Sequence, residues 1–187
     1  MTTLAIYPDD ANGAPEVLTD SAAIATALDA IGVEYARWSS DAPLAEDADQ
    51  EAVLAAYRNE VDALNGRYGF ESMDVVALRP DHPQKAEFRE KFRAEHIHKD
   101  FEVRFFVDGS GVFYLHVNDR VYCVLCEAGD LLSVPPDVTH WFDMGADPDF
   151  KCIRLFTAAE GWVGHFTGSD IATRFPGFDE LRREITV

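Results

Sequence analysis

This chain of 187 residues contains little cysteine, little positive charge and no long apolar run. Its three cysteines are an odd number, so the sequence predicts no disulfide framework. No apolar segment approaches the length of a membrane-spanning helix. The first ten residues also lack the basic start and apolar stretch of a secretion signal. We therefore expect a cytoplasmic protein that does not associate with a membrane.

Basic residues are outnumbered by acidic ones, 16 to 34, which gives a formal net charge of −18. A surface of this sign repels phosphate backbones and anionic lipid headgroups. The charge balance therefore argues against a nucleic-acid partner.

Apolar residues make up 47% of the chain, and phenylalanine is frequent at 13 residues. Helical spacing predicts helices over 22–28, 45–64 and 81–94, with one strand at 74–78. From residue 101 the pattern changes to short strands bounded by Gly, Pro or Asp, which is typical of a sandwich or barrel. The predicted strands are 102–107, 111–117, 120–126, 131–134, 140–144 and 151–157, the first two joined by a turn at 108–110.

Four side chains form a candidate metal site: His96, His98, Glu102 and His140. Side chains alternate between the two faces of a strand, so positions 96, 98 and 102 can project to one side. A fourth ligand must come from another strand, and His140 is the best candidate. Three nitrogens and one oxygen suit first-row metals such as iron, nickel, zinc or manganese.

The spacing of these residues resembles the two motifs of the cupin superfamily. Two His one residue apart, a Glu four residues on and a Gly seven further on match the first motif over 96–109. A Gly, a Pro six residues on and a His five past it match the second motif over 129–140. Asp137 and Met144 depart from the pattern, at positions that are not metal ligands.

Longer strings resemble one cupin family, the acireductone dioxygenases. They are HIHKD at 96–100, EVRFF at 102–106, VP at 134–135, HWFDMG at 140–145 and IRLF at 153–156. The resemblance implies a mainly β fold, the cupin double-stranded β-helix or jelly-roll barrel, with additional N-terminal helices. Within one domain, 1–187, we expect a helical part over 1–95, a metal-binding barrel over 96–157 and a C-terminal cover over 158–187.

The resemblance also implies an activity, cleavage of an acireductone by dioxygen in methionine salvage, and one Fe²⁺ or Ni²⁺ per chain. The iron form would yield formate and 4-methylthio-2-oxobutanoate, and the nickel form formate, carbon monoxide and 3-methylthiopropionate. The expected partners are the small-molecule acireductone and O₂, and the expected state is a monomer. Two alternatives share the site: another cupin enzyme, such as a sugar isomerase or a different dioxygenase, and a non-catalytic cupin that binds a small ligand.

Two arginines are candidate catalytic residues, Arg104 and Arg154. Arg104 shares the strand face of Glu102, where it can offer a fixed positive charge to an anionic substrate. Arg154 lies between apolar neighbours, and a charged group there rarely goes fully buried without a partner. The structural alternative for Arg104 is a salt bridge to the ligating carboxylate or to another acidic neighbour.

Three aromatic side chains, Phe106, Phe142 and Trp162, are candidate walls for an apolar substrate tail, with ordinary core packing as the alternative. Cys123 and Cys126 form a Cys-x-x-Cys motif, but residues three apart on a strand face opposite sides, which predicts packing rather than metal binding. The remaining histidines, His82, His116 and His165, match no ligand motif.

Overall fold

The computed structural model describes residues 1–39, 44–158 and 163–185. Over these ranges the chain forms eleven strands, five α-helices and one 3₁₀ helix. The strands are β1 Thr3–Pro8, β2 Glu16–Leu18, β3 Glu34–Arg37, β4 Ser72–Leu78, β5 His96–Ile97, β6 Glu102–Val117, β7 Arg120–Glu127, β8 Asp130–Val134, β9 Thr139–Asp143, β10 Phe150–Phe156 and β11 His165–Phe166. The helices are α1 Ser21–Asp29, α2 Gln50–Ala56, α3 Arg58–Tyr68, α4 Lys85–Arg93 and α5 Phe178–Ile185, with the 3₁₀ helix at Ile171–Arg174.

The strands form two antiparallel sheets that share β6. The larger sheet has the order β11-β5-β9-β6-β7-β1-β2, and the smaller sheet has the order β3-β8-β6-β10-β4. The mainly β barrel predicted from the sequence is therefore confirmed. Every strand predicted from 120 onward is present, with bounds that shift by at most one residue.

The predicted turn at 108–110 is wrong, because β6 runs without interruption from Glu102 to Val117. Its first half pairs with β8 and β10, and its second half pairs with β7 and β9. Val107 is skipped in the pairing with β10, a bulge that reverses the inward-facing side of the strand. Gly109 stands beside the bulge at φ +70°, and a Cβ there would lie 1.9 Å from the carbonyl oxygen of Asp149. A strand that passes from one sheet to the other thus replaces the expected hairpin.

Three apolar clusters stabilise this arrangement. The inner cluster lies between the sheets and includes Phe106, Phe113 and Phe142. A second cluster lies on the outer face of the larger sheet. There the C-terminal segments from Ile171 to Leu181 cover Tyr114, Trp141 and neighbouring side chains of the strands. A third lies on the outer face of the smaller sheet, beneath α2 and α3.

The N-terminal part differs from its prediction in two ways. It contributes β1, β2 and β3 to the sheets, and β1 is buried against β7. The helix predicted over 45–64 is two helices, because the chain leaves helical geometry at Tyr57 (φ −113°, ψ 21°). The ring of Tyr57 packs 4.6 Å from the ring of Phe105, which anchors the break to the outer face of the smaller sheet. The helices predicted at 22–28 and 81–94 are confirmed as α1 and α4.

The helices of the described residues are all too short or too polar to cross a membrane.

Candidate metal centre

The four predicted ligands meet at one end of the barrel interior. His96 lies in β5, His98 follows that strand, Glu102 begins β6 and His140 lies in β9. The chain turns between His98 and Glu102, so the segment is not the single regular strand that the alternation argument assumed. All four side chains are buried, and one ligand atom from each lies within 4.8 Å of the others. Within the described residues this is the one such group of His, Cys, Asp and Glu side chains.

The three histidines are oriented by backbone carbonyl groups. In each ring Nδ1 lies within hydrogen-bond distance of a carbonyl oxygen, so Nδ1 carries a proton and Nε2 is directed towards the cluster. A carbonyl partner of this kind fixes both the tautomer and the ring angle of a metal-binding imidazole. The distances are 2.7 Å from His96 to Ala94, 2.9 Å from His98 to Val163 and 2.7 Å from His140 to Val138.

Glu102 supplies negative charge to the cluster. Its Oε2 atom lies 3.0 Å from Nε2 of both His98 and His140, and its Oε1 atom accepts a 2.9 Å hydrogen bond from Arg104. Burial alone would raise the pKa of this carboxyl. The positive charge of Arg104 and the bonds to the two imidazoles outweigh burial and hold the pKa of Glu102 well below its usual range.

The pKa values of His96 and His98 shift in opposite directions. Burial, together with the nearby His140, lowers the pKa of His96 to about 4, so this ring is neutral at pH 7. Burial would also lower the pKa of His98, but the hydrogen bond and charge of Glu102 outweigh it and raise that pKa. Metal binding displaces any proton from Nε2, and three imidazole nitrogens with a carboxylate oxygen are a donor set that first-row transition metals prefer. The residues present therefore fit a metal cofactor.

A cavity of about 210 Å³ opens onto this cluster. Its walls carry two kinds of side chain besides the four cluster residues, namely aromatic rings and cations. They are Lys91, Phe92, Arg104, Phe142, Arg154 and Phe166, and the backbone of Gly164 completes the wall. A polar cluster at the base of a partly aromatic cavity is the usual form of a small-molecule site.

Arg104 both lines the cavity and bonds to Glu102, so the catalytic and salt-bridge interpretations describe one geometry. The guanidinium is buried, and it lies 4.7 Å from the ring centroid of Phe142 and 5.1 Å from that of Phe113. Two ring faces and a carboxylate hold the charge in place at the cavity wall.

Arg154 also lines the cavity, and it is tied to Asp74 on β4. Its Nε atom donates to Asp74 at 2.8 Å, and Nη2 donates to the second carboxylate oxygen at 2.5 Å. The two-pronged pair explains how a cation is accommodated within the apolar β10 strand. The side chain thus presents a partly neutralised charge to the cavity.

The three predicted aromatic walls have different positions. Phe142 lines the cavity. Phe106 is fully buried in the inner cluster, 6.4 Å from the ring centroid of Phe142, and it is not among the cavity-lining residues. It shares the inward face of Glu102 and Arg104 but lies deeper in the barrel, so strand alternation correctly predicted its direction but not its depth. Trp162 lies outside the described residues.

Lys91, Phe92 and Phe166 line the cavity although the sequence analysis did not single them out. The helical spacing of Phe88 and Phe92 signals an apolar face on α4, but not that this face reaches a site. Phe166 reaches the cavity because β11 pairs with β5, which places its ring 5.8 Å from that of His96. No local signal marks such a pairing between segments distant in sequence.

The predictions for the remaining cysteines and histidines agree with the structure. Cys123 belongs to the outer cluster of the larger sheet and Cys126 to the inner cluster, so their sulfurs point to opposite faces. Both are free thiols. His116 bonds to Glu95 at 3.0 Å, and neither it, His82 nor His165 joins a metal-ligand cluster in the described part of the chain.

Comparison with known proteins gives one consistent family. The sequence profile of the ARD/ARD′ family matches residues 3–164. Acireductone dioxygenase of Methylococcus capsulatus is 56% identical over 180 residues, which are 96% of this chain and 97% of that protein. Acireductone dioxygenase of Aquifex aeolicus is 54% identical over 97% of this chain and 98% of its own length.

A solved structure agrees. Acireductone dioxygenase from Bacillus anthracis, with a cadmium ion in its active centre, superposes with a TM-score of 0.77 at 28% identity. The match covers 89% of this chain and 98% of that one.

Proposed function

We infer, from the premise that this chain belongs to the ARD/ARD′ family of acireductone dioxygenases, that it cleaves 1,2-dihydroxy-3-keto-5-methylthiopentene with O₂ in methionine salvage. The observation that carries the inference is the convergence of three imidazoles and one carboxylate at the base of a cavity with cationic walls. An ene-diol next to a ketone is a chelating anion, and such a site suits it.

His96, His98, Glu102 and His140 would hold one Fe²⁺ or Ni²⁺. The cavity beside these four donors would let the oxygen atoms of the substrate reach the ion. When bound, the metal supplies Lewis acidity and a template for the chelating substrate. The three carbonyl-fixed imidazoles and the anionic carboxylate keep their donor atoms in place without rearrangement, which favours binding of a cation.

Arg104 would stabilise the negative charge of the bound acireductone. The guanidinium is already fixed by Glu102 and by the ring of Phe142, so it needs little rearrangement when the substrate binds. Arg154 would add a weaker positive field, because Asp74 offsets part of its charge. Phe92 and Phe142 would exclude water from the reacting atoms and contact the methylthio tail.

Oxygen uptake tests the assignment directly. Metal-reconstituted protein is given the acireductone in an oxygen-electrode cell, and we expect rapid consumption that requires protein, metal and substrate together. A sugar-isomerase cupin would leave oxygen unchanged while converting aldoses to ketoses. A non-catalytic cupin would bind the acireductone without consuming oxygen.

Product analysis tests the two metal forms. Apo-protein is divided, and one half receives iron and the other nickel. The iron half should yield formate and 4-methylthio-2-oxobutanoate, and the nickel half formate, carbon monoxide and 3-methylthiopropionate. The same products from both halves would remove the two-reaction proposal and leave the dioxygenase assignment intact.

We also propose that the enzyme is a cytoplasmic monomer. Its three cysteines are buried free thiols, which is usual in a reducing compartment. Light scattering should give a mass near the chain mass of 20.8 kDa. A mass of twice that value would contradict the monomer.

A further inference from the structure

Three cations line the cavity, and they differ in whether a carboxylate neutralises them. Arg104 pairs with Glu102 and Arg154 pairs with Asp74. Over residues 1–39, 44–158 and 163–185, no Asp or Glu lies within ion-pair distance of Lys91. Lys91 therefore brings to the cavity a positive charge that forms no ion pair among the described residues, with Glu87 one helical turn away on α4 and outside ion-pair distance.

Lys91 stands where the cavity meets solvent. It is exposed and yet lines the cavity, and its neighbour Phe92 lines the same cavity from the last turn of α4. The helix packs on β9, the strand that carries His140. The ammonium group is thus attached to a fixed element beside the metal cluster and not to a loose surface loop.

The net charge of the chain explains why a cation at this position would matter for an anionic substrate. A net charge of −18 repels an anionic substrate from most of the surface. A cation at the entrance of a cavity with aromatic walls adds positive potential there and favours the approach of anions. The four cluster residues and Arg104 act at the base of the cavity, so the entrance needs its own recognition group.

We propose that Lys91 is the substrate-capture residue, whose ammonium group binds the anionic acireductone at the cavity entrance. This inference rests on the proposed function. Lys91 contributes to substrate binding and association, whereas the chemical step belongs to residues at the base. Its loss should raise KM and leave kcat nearly unchanged, the pattern of a group that binds ground state and transition state alike.

A structural role predicts something different. Lys91 lies in the last turn of α4, where a cation also stabilises the helix dipole. That role would lower thermal stability on substitution and leave KM unchanged.

The test uses metal-loaded, full-length Lys91→Gln, Lys91→Glu and Lys91→Arg, with Lys85→Gln as the matched control. Lys85 lies on the same helix, bonds to Asp147 and does not line the cavity. We expect kcat/KM to fall about tenfold in the Gln variant and further in the Glu variant. The Arg variant should restore most of it, and the control should stay within about twofold of the parent.

Two further measurements separate capture from other effects. The ratio of parent to Gln-variant kcat/KM should shrink as the salt concentration rises from 20 to 500 mM. In the middle of this range the screening length of an exposed charge is about 8–10 Å, so the attraction of Lys91 for a distant anion is weakened. Anaerobic titration with the acireductone, which prevents turnover, should give a weaker Kd for Lys91→Gln at unchanged metal content.

The outcomes are distinct. A parent protein that consumes no oxygen would defeat the proposed function itself. A parent that turns over, with Lys91→Gln and Lys91→Glu of equal kcat/KM, would overturn only the capture role. An equal loss in Lys85→Gln, a loss confined to kcat, or a fall in melting temperature at constant KM would overturn it too.

Discussion

Glu102 carries the negative charge of the metal cluster, and three buried groups depend on it. Nε2 of His98 and of His140 each lie 3.0 Å from its Oε2 atom, and Arg104 donates to its Oε1 atom. Glu102 thus links two candidate metal ligands to Arg104, the group that would face the substrate.

Glu102→Gln tests that coupling, because it keeps the shape of the side chain and removes its charge. We expect metal affinity to fall by more than about 100-fold, since even residues that only support a ligand contribute 10–100-fold. Elemental analysis after dialysis against a weak chelator measures the loss. A variant that retains one metal per chain would show that the carboxylate is not a ligand.

Arg104→Ala separates holding Glu102 from acting on substrate. We expect near-full metal occupancy under excess metal and a loss of turnover worth about 3 kcal/mol of transition-state stabilisation. Metal content and kcat/KM are measured on the same sample. If turnover is unchanged, the salt bridge is the whole role, and if the metal is lost, Arg104 chiefly positions Glu102.

At the scale of elements, a buried carboxylate joins the strand of His140 to two helices. Asp143 ends β9 and is almost fully buried. Arg89 on α4 bonds to it through both carboxylate oxygens, at 2.7 and 3.0 Å. The backbone N–H of Phe178 donates at 2.9 Å and that of Gly145 at 3.0 Å. Asp143 thereby fixes α4 and the start of α5 against the sheet that carries His140.

Asp143→Asn should lower the free energy of unfolding by about 2 kcal/mol, because it removes the charged partner of the half-buried Arg89 from a buried site. Burial would raise the pKa of Asp143, but Arg89 and the two backbone N–H donors outweigh it and lower that pKa below its ordinary value. A lowered folded-state pKa stabilises the fold at pH values above the unfolded pKa of 3.8, and this contribution is lost as pH falls through the folded pKa.

Urea unfolding at pH 7 and at pH 3 tests both statements. The difference between parent and Asp143→Asn should be large at pH 7 and smaller at pH 3. A difference that stays the same at both pH values would mean that the charge of Asp143 is not what stabilises the fold.

The Cys-x-x-Cys of β7 gives a second prediction at this scale. Burial raises the pKa of both thiols well above their ordinary value, so neither should react with a thiol reagent at pH 7 in the folded protein. Replacing Cys123 and Cys126 by Ala should leave metal content and turnover unchanged, at a cost of about 1 kcal/mol of stability for each cavity. Loss of metal in that variant would show that the sulfurs contribute to the site.

The sequence predicted the strands from 120 to 157 well because Gly, Asp and Pro mark their ends and one face of each is apolar. It missed the continuity of β6 because Asp108-Gly109-Ser110 has the composition of a turn. Gly109 instead allows the backbone of β6 to approach the backbone of Asp149 closely. The break at Tyr57 was also missed, since it depends on packing against Phe105 from a distant strand.

The site shows the same division. The four clustered residues were predicted because cation binding restricts the choice of side chain and its spacing. Lys91 and Phe166 were not, because the cavity wall is assembled from α4 and β11, which carry no motif. Tertiary neighbours of this kind cannot be inferred from local pattern alone.

For the whole molecule, charge and cavity point to one kind of partner. The acidic surface disfavours polyanions, and the cationic cavity walls suit a small anion that reaches the metal cluster. The apolar clusters on the outer face of each sheet are covered by α2 and α3 on one side and by the C-terminal segments on the other. The barrel interior is thereby held rigid around the four donor atoms.

One metal ion, held by these four side chains, would give the chain its acireductone dioxygenase activity. The most direct measurement is the rate of oxygen uptake with acireductone as apo-protein is titrated with Fe²⁺ or Ni²⁺. We predict a linear rise that breaks at one metal per chain, and no rise at all when His140→Ala is titrated in parallel. A rate that is independent of added metal, or an equal rise in His140→Ala, would contradict the account.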